Sequence, residues 1–254
     1  MKAEAELYAR GSSTLHVWDA RWKVVALGGL AFVLASVDAV WAALSGVGIS
    51  LGLLILARLP WRLVGTRLAV AQVFLLPCVI ILPFSFGGES MSVGSLRLSQ
   101  EGLRWAALFY CRALAIIALG IALVYTTPMV VLLRALQSLR VPRVLVEIAL
   151  LTYRYLFTLA AEGMRMRWAL ATRGFGARSF RYTYRPLANG IGMALVRSME
   201  RTERIQQAMI CRGFQGRLHT LQRFDAGLCD WAKAVVCFGL AVGLWAVDRG
   251  WPTG

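Results

Sequence analysis

Two arginine-bearing tripeptides, Thr172-Arg173-Gly174 and Cys211-Arg212-Gly213, are the residues of this chain best placed to do chemistry. That chemistry is recognition rather than catalysis. Their contexts are Ala171-Thr172-Arg173-Gly174-Phe175-Gly176 and Ile210-Cys211-Arg212-Gly213-Phe214-Gln215-Gly216, and the two arginines lie 39 residues apart. A guanidinium is a planar fork that holds a carboxylate or backbone oxygens with two parallel hydrogen bonds. One Arg-Gly pair can simply be a helix stop, because glycine supplies the left-handed cap and a cation complements the helix dipole. Two matching copies, each closing a long amphipathic helix, suit a pseudo-symmetric receptor such as two copies of one soluble protein.

Other chemistries find no residues to carry them. His16 and His219 are the two histidines, too few for a self-contained zinc or haem site, so no metal site and no cofactor are expected. Cys78, Cys111, Cys211, Cys229 and Cys237 form no CxxC pair and read as small hydrophobic packers. An intramembrane enzyme would need His, Asp or Glu clustered at membrane depth, and the sequence shows no such cluster, so the chain is not expected to be an enzyme. Arg112 is the one cation inside an apolar run. It could mark a translocation site, but a structural pair with Glu101 or Asp38 is the favoured reading, with Asp38 otherwise a turn residue.

The elements that must position the tripeptides follow from hydropathy. Of 254 residues, 58% are hydrophobic and only 16% charged, and the apolar residues come in blocks. Residues 24–57 are too long for one span at about 20 residues per crossing. They are expected to form two helices, 22–37 and 39–57, turned at Ser36-Val37-Asp38. Residues 68–86 make a third span that Pro77 and Pro83 should kink or end. Residues 87–104 read as an exposed loop, 105–125 as a fourth span and 231–247 as a fifth. Between the last two lies an arginine-rich insert, 126–229, with 16 Arg and 5 acids.

In the insert, Pro128 opens a short helix, 128–140, and Val141-Pro142 ends it. A second helix is expected at 143–173 and a third at 186–213, started by Pro186. Val146, Ala149, Tyr153, Leu156, Ala160, Gly163, Arg167 and Leu170 line one side of the second. Ile191, Leu195, Ser198, Thr202, Ile205 and Met209 line one side of the third, with Arg197, Arg201 and Arg204 on another face. The expected class is therefore an all-α polytopic membrane protein. Its parts are a cytoplasmic N-terminal segment (1–21), four transmembrane helices (22–125), a cytoplasmic coupling domain (126–229), and a last span with the C-terminus (230–254).

Net charge is +15, carried by 25 Arg and 3 Lys. With the N-terminus inside, 24 of the 28 cations lie on the cytoplasmic side, as the positive-inside rule requires. The cations flank apolar runs, which argues against nucleic acid as a partner. Trp18, Trp22, Trp41, Trp61, Trp105, Trp231, Trp245 and Trp251 fall near span ends, the pattern of an interfacial aromatic belt. The polar, acid-bearing N-terminus does not read as a cleavable signal peptide.

Four segments, LHVWDARWKVV, TTPMVVLLRALQSLRVPRVLVEI, LTYRYLFTLAAEGMRMRWALATRGF and ICRGF, resemble the transmembrane T component of energy-coupling-factor transporters of the CbiQ type. The resemblance runs from about Leu15 to Val247. The family often has Ala before the paired arginines, where this chain has Thr172 and Cys211, and the Arg-Gly core is kept. The resemblance implies two long coupling helices crossing like an X on the cytoplasmic side of a bacterial inner membrane. It further implies that each tip (Ala171, Thr172, Arg173, Gly174 and Cys211, Arg212, Gly213) docks on one of two ABC-type ATPase subunits, while the membrane part holds a separate substrate-binding S component. ATP hydrolysis would belong to the ATPases, in keeping with the lack of a GxxxxGK[ST] loop here. Cobalt is the implied substrate, chosen by a partner chain. A T component for nickel or a vitamin is the alternative, and a scaffold binding anionic lipid is the rival from another class.

Overall fold

The computed structural model describes residue 8, residue 11 and residues 13–85, 90–93, 96–173, 180–216 and 227–250. The elements are α1 (Thr14–Val17), α2 (Ala20–Ser36), α3 (Val40–Leu56), α4 (Trp61–Ser85), β1 (Ser90–Val93), β2 (Leu96–Ser99), α5 (Gln100–Thr126), α6 (Met129–Ser138), α7 (Arg143–Thr172), α8 (Phe180–Cys211) and α9 (Leu228–Gly250). They fall into two compact units, one of Lys2–Val141 with Phe224–Gly254 and one of Pro142–Arg223. Apart from the small antiparallel hairpin, Ser90 opposite Ser99 and Val93 opposite Leu96, the described chain is helical. It is an all-α polytopic membrane protein.

The first unit is built around α5, which packs on α2, α3 and α4, while α9 lies against α2 and α3 and α6 against α2. Lipid tails are as apolar as leucine, so apolarity alone gives helices in a bilayer no reason to associate, and close approach must supply the attraction. The sequence provides it. Ala42, Ala43, Gly46, Ser50 and Leu54 make the buried stripe of α3, and Ala115, Ala118 and Ala122 are buried on α5. Gly46 leaves room for Leu34, whose Cδ2 a side chain at 46 would strike. The outside is the reverse of a soluble protein: Phe32, Trp41, Phe74 and Ile81 are all more than half exposed, a surface made for lipid.

Two polar clasps hold the ends of this bundle. At one, the Lys23 ammonium is buried and donates to the Thr126 carbonyl at 3.3 Å, Thr126 Oγ1 at 3.1 Å and Thr127 Oγ1 at 2.9 Å. It thereby ties the start of α2 to the α5–α6 junction. At the other, Arg112 donates to the Val37 carbonyl and to Asp38 Oδ1, the latter at 2.8 Å. Asp248 Oδ1 accepts from the backbone N–H of Asp38 at 2.9 Å and of Ala39 at 2.7 Å, tying the turn between α2 and α3 to α9. Arg112 is therefore a structural partner of Asp38, and Asp38 is more than a turn residue.

These contacts also fix direction. Trp22 stacks with Trp231 at 4.2 Å, Gly29 faces the Phe238 ring, and Ala39 meets Asp248, each pair 209 residues apart. A constant separation means that α2 and α9 run parallel in one register. Lys23 with Thr126 and Val37 with Arg112 set α5 antiparallel to α2.

Several expectations need correcting. The span expected at 68–86 begins at Trp61, because Pro60 accepts from the N–H of Leu63 and Val64 and so starts the helix. Pro77 and Pro83 sit within it, and it ends two residues past Pro83. The span expected at 105–125 begins at Gln100, and the loop expected at 87–104 contains the hairpin. The helix expected from Pro186 begins six residues earlier, at Phe180. Proline's fixed φ is a helical one, so within a helix it forfeits a backbone bond without stopping the chain. Trp18 is not a belt residue: it is buried, with Nε1 donating to the Asp230 carbonyl at 3.2 Å.

Among the described residues, four helices are long and apolar enough to cross a bilayer: Trp61–Pro83, Glu101–Thr126, Arg143–Thr172 and Cys229–Arg249. The expected spans at 68–86, 105–125 and 231–247 overlap three of these. Helices α2 and α3 have 17 residues each, about 25 Å at 1.5 Å per residue, slightly short of a hydrocarbon core of about 30 Å. Arg143–Thr172 qualifies because Glu147 and Arg154 are the only charges from Val144 to Leu159.

The Lys23 clasp is the contact whose loss should cost the first unit most. Lys23→Ala leaves two threonine hydroxyls and a carbonyl without their cation, so a loss of about 3 kcal/mol is expected from the usual range for hydrogen bonds to charged groups. A fall in the thermal midpoint in detergent of several degrees, absent in Lys233→Ala, is the expected result.

Candidate partner-docking site

The second unit carries both tripeptides. Helix α7 has 30 residues and α8 has 32, which gives rods of about 45 and 48 Å. Neither rod is long through propensity alone. Each has a half-buried side; on α7 it includes Tyr153, Phe157, Glu162, Gly163, Met166 and Leu170, whereas Leu156, Ala160 and Arg167 of the expected stripe are exposed. On α8 the half-buried positions are Gly190, Ala194, Ser198, Arg201, Ile205 and Met209. This corrects the expected stripe by part of a turn: Ile191, Leu195 and Thr202 face outward, and Arg201 faces inward.

The physical reason is Glu162. Its carboxylate on α7 accepts from Arg201 Nη2 at 2.8 Å and lies 3.8 Å from Arg197 Nη1. Arg197 and Arg201 are one turn apart on α8 and straddle the acid. The Glu162 side chain is only 13% exposed, so it is held between two cations away from most solvent. Hydropathy periodicity places arginine on the polar face, and only knowledge of the facing acid reverses that. The available signal was the spacing: Glu162 and Arg201 stand 39 residues apart, the same offset as Arg173 and Arg212.

The two tips share the Arg-Gly sequence, and the α8 end is the one described through its glycine. Arg212 closes α8, and Gly213 follows at φ +79°, a conformation that a side chain would strain. The Gly213 N–H donates to the Ile210 carbonyl at 2.9 Å and the Phe214 N–H to the Met209 carbonyl at 3.0 Å. This pair of reversed bonds is a Schellman cap. It turns the backbone sharply and leaves Arg212 exposed at the tip beside exposed Cys211. On α7, Arg173 is the cap residue, its N–H donating to the Leu170 carbonyl at 3.1 Å, and Ala171, Thr172 and Arg173 are all exposed. Gly174, the remaining residue of the expected docking set, lies outside the described residues, as do Phe175 and Gly176. Each rod thus presents an arginine at its very end.

Between the tips and the opposite ends, the two rods expose large apolar side chains in number. Val144, Leu145, Ile148 and Trp168 on α7 and Leu195 and Met199 on α8 are each more than half exposed. A soluble surface rarely leaves so much apolar area open, so these faces are made to be covered.

The profile of the cobalt transport protein family, CbiQ, matches residues 11–221. The chain belongs to this family. Among its relatives, the cobalt transport protein CbiQ of Rhodobacter capsulatus is 33% identical over 165 residues, 65% of this chain and 65% of that one. The CbiQ of Salmonella typhimurium is 31% identical over 198 residues, 75% of this chain and 86% of that one. A putative fused cobalt transport protein, CbiMQ, of Methanocorpusculum labreanum is 30% identical over 172 residues, 64% of this chain but only 28% of that longer protein. The matched region contains both tripeptides and both members of the Glu162–Arg201 pair. Membership makes this chain a multi-pass membrane component of a transport system.

Gly213 is the residue on which the α8 tip depends most directly. Gly213→Ala forces a side chain into the left-handed region at a cost of about 1 kcal/mol. The expected readout is faster amide exchange at Gly213 and Phe214, whose cap bonds loosen, with exchange in the middle of α8 unchanged.

Proposed function

We propose that this chain is the coupling subunit of an ATP-driven importer for cobalt ions. Its two arginine-tipped helices dock on two copies of an ATPase subunit, and its membrane bundle holds a separate substrate-binding subunit. The observation that carries this reading is the pair of exposed arginines, Arg173 and Arg212, each ending a rod of more than 40 Å within one compact unit. Matched ends of matched rods are the complement of a receptor with two equivalent grooves. The names of the relatives give the cargo. The fused relative supports a second membrane partner, since most of its length lies outside the part that resembles this chain.

Division of labour follows from the residues. This chain has no phosphate-binding loop, and no group of three or more His, Cys, Asp or Glu that could hold a metal occurs among the described residues. ATP hydrolysis and ion selection are therefore assigned to the partners. When the ATPase pair closes on nucleotide, its two grooves approach each other and carry Arg173 and Arg212 with them. A packed helix moves as a unit rather than deforming, so motion at the tips reaches the apolar first half of α7. Val144, Leu145 and Ile148 there are suited to lie against a membrane-embedded subunit. The cytoplasmic side is assigned to the tips by the excess of arginine in the insert.

Removing both grips tests the assignment. Arg173→Ala with Arg212→Ala is expected to abolish cobalt uptake and to release the ATPase subunits during purification, because losing a charge-assisted interface contact typically costs about 2–5 kcal/mol. Wild-type uptake together with undiminished ATPase co-purification would overturn it. Retention of membrane localisation by the double variant separates lost docking from lost folding.

A further inference from the structure

The position of the Glu162 cluster repeats the symmetry of the tips. Glu162 stands eleven residues before Arg173, and Arg201 stands eleven residues before Arg212. At 1.5 Å per residue, the junction of the two rods lies about 16 Å from each tip. The rods are thus bridged at equal distances from their docking ends.

The kind of bridge matters as much as its place. Interdigitated apolar side chains lock two helices at one of a few crossing angles. Two guanidiniums on long stems, reaching from Arg197 and Arg201 to the two oxygens of one carboxylate, constrain distance and leave angle free. The Arg201 bond at 2.8 Å is the short member and the Arg197 approach at 3.8 Å the loose one. As the rods rotate about Glu162, the carboxylate can pass from one guanidinium toward the other without being left unpaired. Ser198 between the arginines is small, and a Cβ added at Gly163 would meet no atom within 4 Å, so open space lies beside the acid. As a contribution to stability alone, a partly exposed ion pair has little value. Its value here lies in geometry.

We propose that Glu162, clamped by Arg201 and Arg197, is the fulcrum on which α7 and α8 scissor. With equal arms, an approach of the two tips becomes a change of crossing angle rather than a slide of one rod along the other. The clamp is then a positioning element, required to convert tip motion into movement of the opposite ends and not required for docking. This inference rests on the coupling role proposed above.

The test uses the assembled transporter with its ATPase and substrate-binding subunits. Glu162→Gln and Arg201→Gln are each expected to co-purify with a full complement of ATPase and to hydrolyse ATP. Their cobalt uptake should fall by about tenfold or more, the equivalent of roughly 1.4 kcal/mol of coupling. The exchanged pair, Glu162→Arg with Arg201→Glu, should recover most of the lost uptake, since the two charges then face each other in reverse. Uptake at the wild-type level in both single variants would overturn the fulcrum. Loss of ATPase from the single variants would overturn it too, since the cluster would then be part of the docking or the fold. Failure of the exchanged pair to restore uptake would show that the residues act separately. If the wild-type chain retains no ATPase, the coupling role itself fails, a result distinct from all of these.

Discussion

A bilayer offers helices nothing to hide from, and the membrane unit of this protein is shaped by that constraint. Attraction between its helices comes from backbones brought close by alanine, glycine and serine along α3 and α5. Orientation comes from a few polar contacts made where the helices end. Lys23 fastens one end of the bundle and Arg112, Asp38 and Asp248 the other, while the parallel register of α2 and α9 rests on Trp22 with Trp231, Gly29 with Phe238 and Ala39 with Asp248. Burying a lysine or an arginine among apolar helices is costly unless each is fully partnered. The three acceptors around Lys23 meet that demand, whereas at Arg112 the carbonyl and carboxylate serve Nη2 and the buried Nε has no partner among the described residues.

The second unit works on the opposite principle. Its helices are joined by charge at one short stretch of their length and otherwise expose large apolar side chains. Under the proposed coupling role, such a unit would gain its remaining contacts from other chains. Arginine does three different jobs within it. Arg173 and Arg212 stand exposed at the tips, Arg201 is drawn between the helices, and Arg204 lies on the outer face near Glu200.

What could be read from the sequence follows the range of the interactions. Helix existence was legible from hydropathy, and α2, α3, α6 and α7 lie within two residues of their expected ends. Boundaries set by proline were less so: Pro186 sits in the second turn of α8, where its fixed φ is compatible with the helix. The Arg-Gly tripeptides were visible as a repeat, since a helix end is a local device written in consecutive residues. The phase of α8 was not visible, because it depends on Glu162, 39 residues away on another helix. The pairing of Arg112 with Asp38 was one of two options until distance decided it.

Asp248 has one more consequence, in time rather than in space. It lies on α9, yet it accepts from the backbone N–H groups of Asp38 and Ala39, 210 and 209 residues earlier in the chain. During synthesis α2 and α3 are made before α5, and α5 before α9. Arg112 on α5 is thus available to hold Val37 and Asp38 before Asp248 on α9 exists. Two fasteners on one corner therefore arrive in sequence, the first from α5 and the second from α9.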